Sequence, residues 1–247
     1  RGCTTHVGPA MDRDFNFSSC IHCGQCVLVC PTGALHEKYY ISEVQDQLSK
    51  NDVTRVIQYS PLVPYALAEE LGVKYSRDFD RILNAALRKM GFDRVFLSGT
   101  GTDIMIKELA DAVMAAGKQH TEKSLIASAC PGWIKYCEQF SPDILPYLST
   151  LKTPQQISGA IIKSVVPVTG GKPRIYAVSV TPCTAMKFEA RRDSMTRKGI
   201  SDIDTVLTVR ELARLIILYG IDMTNIDPEP ADEPMSQRSS AALLAQT

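Results

Sequence analysis

Residues Cys20 to Pro31 read CIHCGQCVLVCP, four thiols spaced Cys20-x2-Cys23-x2-Cys26-x3-Cys30 with a proline directly after the fourth. Three thiolates at this spacing can wrap one face of a 4Fe-4S cube, because the short turns let the backbone curl and aim N–H groups at the sulfides. Gly24 relieves crowding at the turn. Where two clusters are present, the fourth cysteine of such a run ligates the other one, but no second triplet appears here. Two ligand sets therefore stay open. Cys20, Cys23, Cys26 and Cys30 close one cluster among themselves, or the first three take their fourth ligand from elsewhere, with Cys3 a further candidate. Zinc favours paired Cys-x2-Cys arms separated by a loop, so an iron–sulfur cluster and electron transfer are the expectation.

Two other cysteines stand alone. Cys130 in SACPG and Cys183 in TPCTAMKFEA each follow an apolar run and sit in a proline-containing turn. Ligands collect at the carboxyl ends of strands in α/β sheets, so the two thiols could share one site. Taken singly, packing is the default for either, since free cysteine is among the most buried residue types. Cys137 is assigned to packing. His6, His22, His36 and His120 are scattered, and only His22 lies beside a cluster, where it reads as solvated.

The elements that must position these thiols show in the hydrophobic rhythm. Residues 1–45 are turn-rich and form a cysteine module. From residue 53, RVIQYS, LVPYALAEELG, FDRILNAALRKMGF, RVFLSG, DIMIKELADAVMAAG and SLIASA alternate short β-branched runs with helical stretches, an α/β pattern with a buried parallel sheet. Phe79, Ile82, Leu83, Ala86, Leu87 and Met90 recur at helical spacing and are core, with Gly91 as the stop. A second round follows: strand IYAVSV, the charged helical stretch KFEARRDSMTRKG, strand IDTVLT and helix VRELARLIILYG. Thr208 and Glu211 predict a capping box. VVPVTGGKPR between the rounds reads as a linker. After the loop-like IDMTNIDPEPADEP, SQRSSAALLAQT begins a further helix.

Composition sets outer bounds. With 247 residues, 45% hydrophobic and 22% charged, the chain can bury one large core or two modest ones. Its 27 basic residues balance 27 acidic ones, which argues for neither a nucleic-acid nor an anionic-membrane partner. No apolar run approaches the roughly 20 residues of a membrane span, and the polar start is no secretory signal. A soluble, cytoplasmic protein is expected, its cysteines serving metal rather than disulfides. The chain opens on Arg1, which suggests an excerpt or a processed product.

The segments RGCTTHVGPAMD, CGQCVLVCPTGAL, ILNAALRKMGFDRVF, ACPGW, LKTPQQISGAIIK, TPCTAMKFEARR and DIDTVLTVRELARLI, in this order and at these separations, resemble the iron-iron hydrogenases across essentially the whole chain. The resemblance implies a two-lobed α/β domain with parallel sheets flanked by helices, preceded by part of a ferredoxin-like 4Fe-4S module. The implied units are 1–45 for the module, 46–168 for the first lobe and 169–247 for the second. It further implies a di-iron centre carrying CO and cyanide, bridged to a 4Fe-4S cube between the lobes. Cys130 and Cys183 match two ligands of that cube. Pro61 and Gln155 match residues lining the di-iron pocket, while Pro182 and Met186 stand within its TPCT-x-M stretch. Glu108 and Ser149 match the family's proton relay and Asp111 one of its carboxylates. Implied partners are other redox subunits or a ferredoxin-like electron carrier; RRDSMTRK is basic enough to dock an acidic one, although a solvated helix face is the plainer reading.

The chain departs from the family at four points. Ala129 replaces the proton-donating cysteine, and a methyl group carries no proton. Thr181 replaces the pocket methionine. Met186 replaces the lysine that hydrogen-bonds a cyanide, and Leu62 stands where the family has serine. The family's last ligand motif, a CPGGC-like segment, is not reached by Thr247. Two functions follow as expectations. One is a low-turnover or sensory hydrogenase-like oxidoreductase. The other is a non-catalytic electron-transfer or scaffold subunit that lacks the di-iron centre.

Overall fold

Strands that are apolar on both faces must lie between two layers of helices. A computed structural model, which describes residues 8–118, 124–166 and 174–232, shows that arrangement. The first half contains α1 (Gln25–Val29), α2 (Ile41–Leu48), β1 (Val53–Tyr59), α3 (Val63–Glu70), α4 (Phe79–Lys89), β2 (Arg94–Leu97) and α5 (Gly99–Lys118). There follow α6 (Pro131–Phe140), α7 (Pro154–Val165), β3 (Arg174–Thr181), α8 (Ala185–Glu189), β4 (Thr196–Arg197), β5 (Ile200–Ser201), β6 (Thr205–Thr208) and α9 (Val209–Leu218).

Four strands form one parallel sheet in the order β2-β1-β3-β6. β1 and β3 pair along their length, from Val53↔Arg174 to Tyr59↔Val180, so strands from both rounds of the sequence share a single sheet. One face sends Ile57, Tyr59, Val95 and Val178 into a core shared with α2, α3, α4 and α9. The other packs Val56, Phe96 and Ile175 against Ile162 of α7, and Ala177 and Val206 against Ala190 and Ile203. In α4 the periodic residues are buried as expected, with Ile82 at the rim, and Gly91 leaves the helix at φ 110°, a conformation a side chain would strain. No helix among the described residues is long and apolar enough to cross a membrane.

Two expectations are corrected. SLIASA is not a sheet strand; it makes one isolated bridge, Ile126↔Leu148, with Ile126 N–H donating to Tyr147 O (2.8 Å) and Ser149 N–H to Ile126 O (2.7 Å). Its small residues, Ala127, Ser128 and Ala129, offer too little apolar surface to hold a place in the sheet. KFEARRDSMTRKG is helical only to Glu189. A 3₁₀ turn (Asp193–Met195) and the β4–β5 hairpin follow, because Lys198 (φ 50°) and Gly199 (φ 78°) adopt the left-handed conformations of a tight reverse turn. The basic stretch 191–198 thus runs through a turn and the 3₁₀ segment into an exposed hairpin rather than along a helix face. Cys3, His6, His120, most of the linker at 165–174 and the helix start at 236–247 lie outside the described residues.

The capping box forms. Thr208 Oγ1 accepts from Glu211 N–H, and Glu211 returns its carboxylate to Thr208 N–H at 2.8 Å. Glu211 is fully buried and does more than cap: Lys187 Nζ on α8 donates to it at 2.5 Å and Tyr40 N–H at 2.7 Å. Lys187, 8% exposed, also donates to Lys38 O (2.7 Å) and lies 4.7 Å from the centre of the Tyr40 ring. Removing one charge of such a pair strands the other in the core, at a cost of about 3–5 kcal/mol. Glu211→Gln keeps the cap, since glutamine also closes the box, but strands Lys187. We expect it to lower unfolding free energy in urea by about 3 kcal/mol, and Lys187→Met/Glu211→Gln to recover at least half of that loss. A double variant no more stable than the single one would count against a stranded charge.

Candidate metal centre

The sheet places one lone cysteine directly. β1 leads to β2 on one side while β3 lies on the other, so the order reverses between β1 and β3, and the crevice beyond their carboxyl ends is where α/β sheets bind ligands. Ser60 N–H donates to Val180 O (3.1 Å), holding the buried Pro61 turn beside the end of β3. There Thr181 spends its hydroxyl locally, accepting from Cys183 N–H at 3.3 Å. Cys183 is half-buried behind an exposed Pro182.

Cys130 reaches the same place from the start of α6, where it is the N-cap and Pro131 supplies the first helical residue. Its side chain is exposed, beside a half-buried Ala129. Burial pushes the Cys183 thiol up, and the charges of Cys130 and Cys23 push it further. Cys183 thus feels Cys130 and Cys23 of the N-terminal loop, and a Cβ on Gly132 of α6 would lie 3.9 Å from both Cys130 Sγ and Ala185 Cβ, which ties the start of α6 to the turn after Cys183. Cys137, by contrast, is wholly buried, as packing requires.

The N-terminal loop is seated on α8 and α6. His22 and Gly24 take left-handed conformations (φ 57° and 77°) that curl the chain between the cysteines, and His22 N–H points at Cys20 Sγ (3.4 Å). Gly24 has no room for a side chain, because a Cβ would stand 2.6 Å from Thr184 Oγ1. That hydroxyl donates to His22 O at 2.9 Å, and the His22 ring stacks on Phe188 with centroids 4.6 Å apart. Cys26 lies in α1, exposed, and Cys30 closes that helix. Hydrogen bonds from the Thr32 side chain and from the backbone N–H groups of Leu35, Thr32 and Ala34 lower the Cys30 thiol to about 7.

The residues expected to line a di-iron pocket are divided. Gln155 is 6% exposed; its Oε1 has no hydrogen-bond partner, while its Nε2 donates weakly to Met186 O (3.4 Å). Met186 turns its side chain to the apolar cluster of Ala177, Ala190, Ile203 and Val206. Lys187, the next residue, is committed to Glu211 and Lys38 and leaves the missing donor unreplaced. Of the relay candidates, Ser149 lines a cleft of about 230 Å³ together with Ser128, Lys152, Glu189 and Arg192. Glu108 and Asp111 do not line it; both are exposed on α5, Asp111 paired to Lys107 at 2.8 Å.

Sequence reasoning overlooked the cleft's acid. Glu189 is 1% exposed; Oε2 accepts from Thr153 Oγ1 (2.7 Å) and from Gln156 Nε2 (3.4 Å), while Oε1 has no partner. Burial raises its pKa to about 7, against the pull of those bonds and of the Arg192 and Lys152 cations. The available signal was its place between Phe188 and Ala190, half a dozen residues past Cys183.

Comparison with known proteins bears on this arrangement. Residues 53–247 match the model of the iron only hydrogenase large subunit, C-terminal domain, and residues 14–36 match a 4Fe-4S binding domain. The chain belongs to the iron-only hydrogenase family. It is 39% identical to the NADP-reducing hydrogenase subunit HndD of Solidesulfovibrio fructosivorans, over 98% of this chain and 43% of that protein. It is 33% identical to iron hydrogenase 1 of Clostridium pasteurianum (87% and 38%), and 30% identical to a cytosolic Fe-S cluster assembly factor of Yarrowia lipolytica (81% and 43%). It spans less than half the length of these curated relatives. An apo FeFe hydrogenase of Chlamydomonas reinhardtii superposes with a TM-score of 0.74 at 29% identity, covering 83% of this chain and 53% of that one.

The N-terminal residues fit a 4Fe-4S cube. Among the described residues no three His, Cys, Asp or Glu side chains close on a single ion. A cube asks instead for thiolates on separate irons, in a curled loop with N–H groups near sulfur, and the Cys20–Cys30 loop has both features. For the hydrogenase di-iron centre the fit fails at the donors: position 129 offers a methyl, 186 an apolar side chain packed elsewhere, and 62 a leucine.

Because the folded-state pKa of Glu189 is raised, folding holds its proton, and the associated stability is complete below about pH 4.5 and lost as pH rises through 7. Between pH 5 and 8 the wild type should therefore lose up to about 3 kcal/mol relative to Glu189→Gln. Urea unfolding across that range, reading parallel curves for the two proteins, would refute an acid held neutral by burial.

Proposed function

We propose that this chain is the electron-carrying region of an iron–sulfur oxidoreductase of the hydrogenase family, one that couples hydrogen or protons to electrons at low turnover or as a sensor. The observation that supports the reading is the seating of the ferredoxin-type loop on the turn after Cys183 and on the start of α6 beside Cys130, through the Thr184–His22 hydrogen bond, the His22–Phe188 stack and the close approach of Gly132 to Ile21 O. In this reading Cys20, Cys23 and Cys26 hold a 4Fe-4S cluster whose fourth ligand is Cys30 or lies upstream. Cys130 and Cys183 supply two ligands of a second cube, with Pro61, Gln155 and Pro182 as pocket lining and Met186 turned to the apolar cluster. A 4Fe-4S cube supplies one-electron transfer when bound. The electron partner is a ferredoxin-like carrier or a neighbouring redox subunit in the cytoplasm.

Low turnover follows from Ala129. General acid–base steps contribute typically ~10²–10⁴-fold, and the donor position has no proton to give. Glu189 and Ser149 hold protonatable groups in the adjoining cleft, but Glu108 and Asp111, the expected outer members of a relay, face away on α5.

A second reading is favoured by Met186, whose side chain is spent on the apolar cluster instead of a ligand pocket. In it the chain serves a non-catalytic electron-transfer or cluster-handling role without a di-iron centre, as the likeness to a cytosolic Fe-S cluster assembly factor also suggests. Infrared spectroscopy of the full-length protein, produced with the hydrogenase maturation machinery, separates the two. Bands of metal-bound CO and cyanide are expected from the first reading, and their absence would leave the second. If the bands appear, Ala129→Cys should raise hydrogen turnover by about 10²-fold or more. An unchanged rate would overturn the missing donor as the cause of slow turnover.

A further inference from the structure

One buried charge remains unexplained. Lys135 is 3% exposed, and among the described residues its Nζ has no hydrogen-bond partner. An ammonium removed from water without a partner is among the costliest groups a fold can contain. Its ammonium lies over the face of Phe188, 4.6 Å from Nζ to the ring centre, and such contacts return only part of the cost.

Its position shows what the charge faces. Gly132, Lys135 and Gln139 lie along one side of α6, and both neighbours touch the cysteine loop. A Cβ on Gly132 would stand 3.4 Å from Ile21 O, and Gln139 Nε2 donates to Ser18 O at 2.9 Å. Lys135 stands between these two anchors, opposite the stretch of loop that carries Cys20. Burial lowers the Lys135 pKa while Cys20 and Glu138 raise it, and burial together with the Lys135 cation lowers that of His22. Other charges nearby are engaged or distant. Glu138 is bound on both oxygens by Arg192, and Asp14 accepts from Asn16 N–H.

We propose that Lys135 is the counter-charge of the 4Fe-4S cluster held by Cys20, Cys23 and Cys26, and that its buried ammonium raises the reduction potential of that cluster. Thiolate-ligated cubes are anionic and gain one more negative charge on reduction, so a fixed cation beside them favours the reduced form. No bond is made or broken: one electron arrives from a low-potential donor, dithionite in the test, and Lys135 keeps its proton throughout. The proposal rests on the cluster being at this loop.

The test is an anaerobic redox titration followed by electron paramagnetic resonance on the full chain with its cluster reconstituted, comparing wild type with Lys135→Met and Lys135→Arg. At the wild-type midpoint, Lys135→Met should show about a tenfold lower ratio of reduced to oxidised cluster, equivalent to about 59 mV for one electron, while Lys135→Arg stays close to wild type. If Lys135→Met fails to take up iron, Lys135→Gln makes the same comparison. A neutral variant that loads fully and titrates at the wild-type potential overturns the proposal. Wild type that takes up no cubane overturns the cluster assignment instead. Thermal unfolding gives an independent readout: Lys135→Met should raise the midpoint of the apo protein and not that of the loaded one, and equal shifts in both would also overturn the counter-charge.

Discussion

The buried ion pair between Lys187 and Glu211 is the constraint on which the site depends, because it fixes the orientation of α8. That helix is barely more than one turn long and could not hold itself; short helices are marginal without tertiary contacts. Successive side chains fasten it in different directions. Thr184 and Phe188 hold the cysteine loop, Lys187 holds α9 and the chain at Lys38, and Glu189 holds the start of α7 through Thr153. Cys183 stands immediately before this turn, so its position is set by all of them.

Burial sets apart three ionisable groups in this small region. Lys187 is buried with a full partner, Glu189 with half of one, and Lys135 with none. The fully paired charge fastens chain to chain, the half-paired acid borders the cleft beside Ser128 and Ser149, and the unpaired cation faces the loop of Cys20. Unsatisfied groups of this kind in a native fold call for a ligand, an ion or a proton to complete them.

Much of this was legible in the chain. The β-branched runs at 55–60 and 175–180, the α4 periodicity and the Thr208–Glu211 box depend on local pattern, and each appears where the pattern put it. The cysteine spacing likewise carried the 4Fe-4S assignment unaided. What escaped was non-local or conformational. Lys135, Lys187 and Glu189 look like surface charges, and only packing against segments far away in sequence shows them to be buried. The hairpin at 196–201 escaped because its charged residues suit an exposed helix, and the left-handed pair Lys198–Gly199 decides otherwise. SLIASA failed as a strand because residues 127–129 are too small to earn a place against a helix layer.

The stacking of His22 on Phe188, with the Thr184 hydroxyl tying down the same residue, has a kinetic meaning. It fastens the loop of Cys20 and Cys23 to the turn that begins at Cys183, so the gap between the two sulfur groups cannot widen without breaking an aromatic contact and a hydrogen bond together. Tunnelling between redox centres weakens steeply with separation. With clusters bound at both sulfur groups, so rigid a spacer would set a fixed conductance between them.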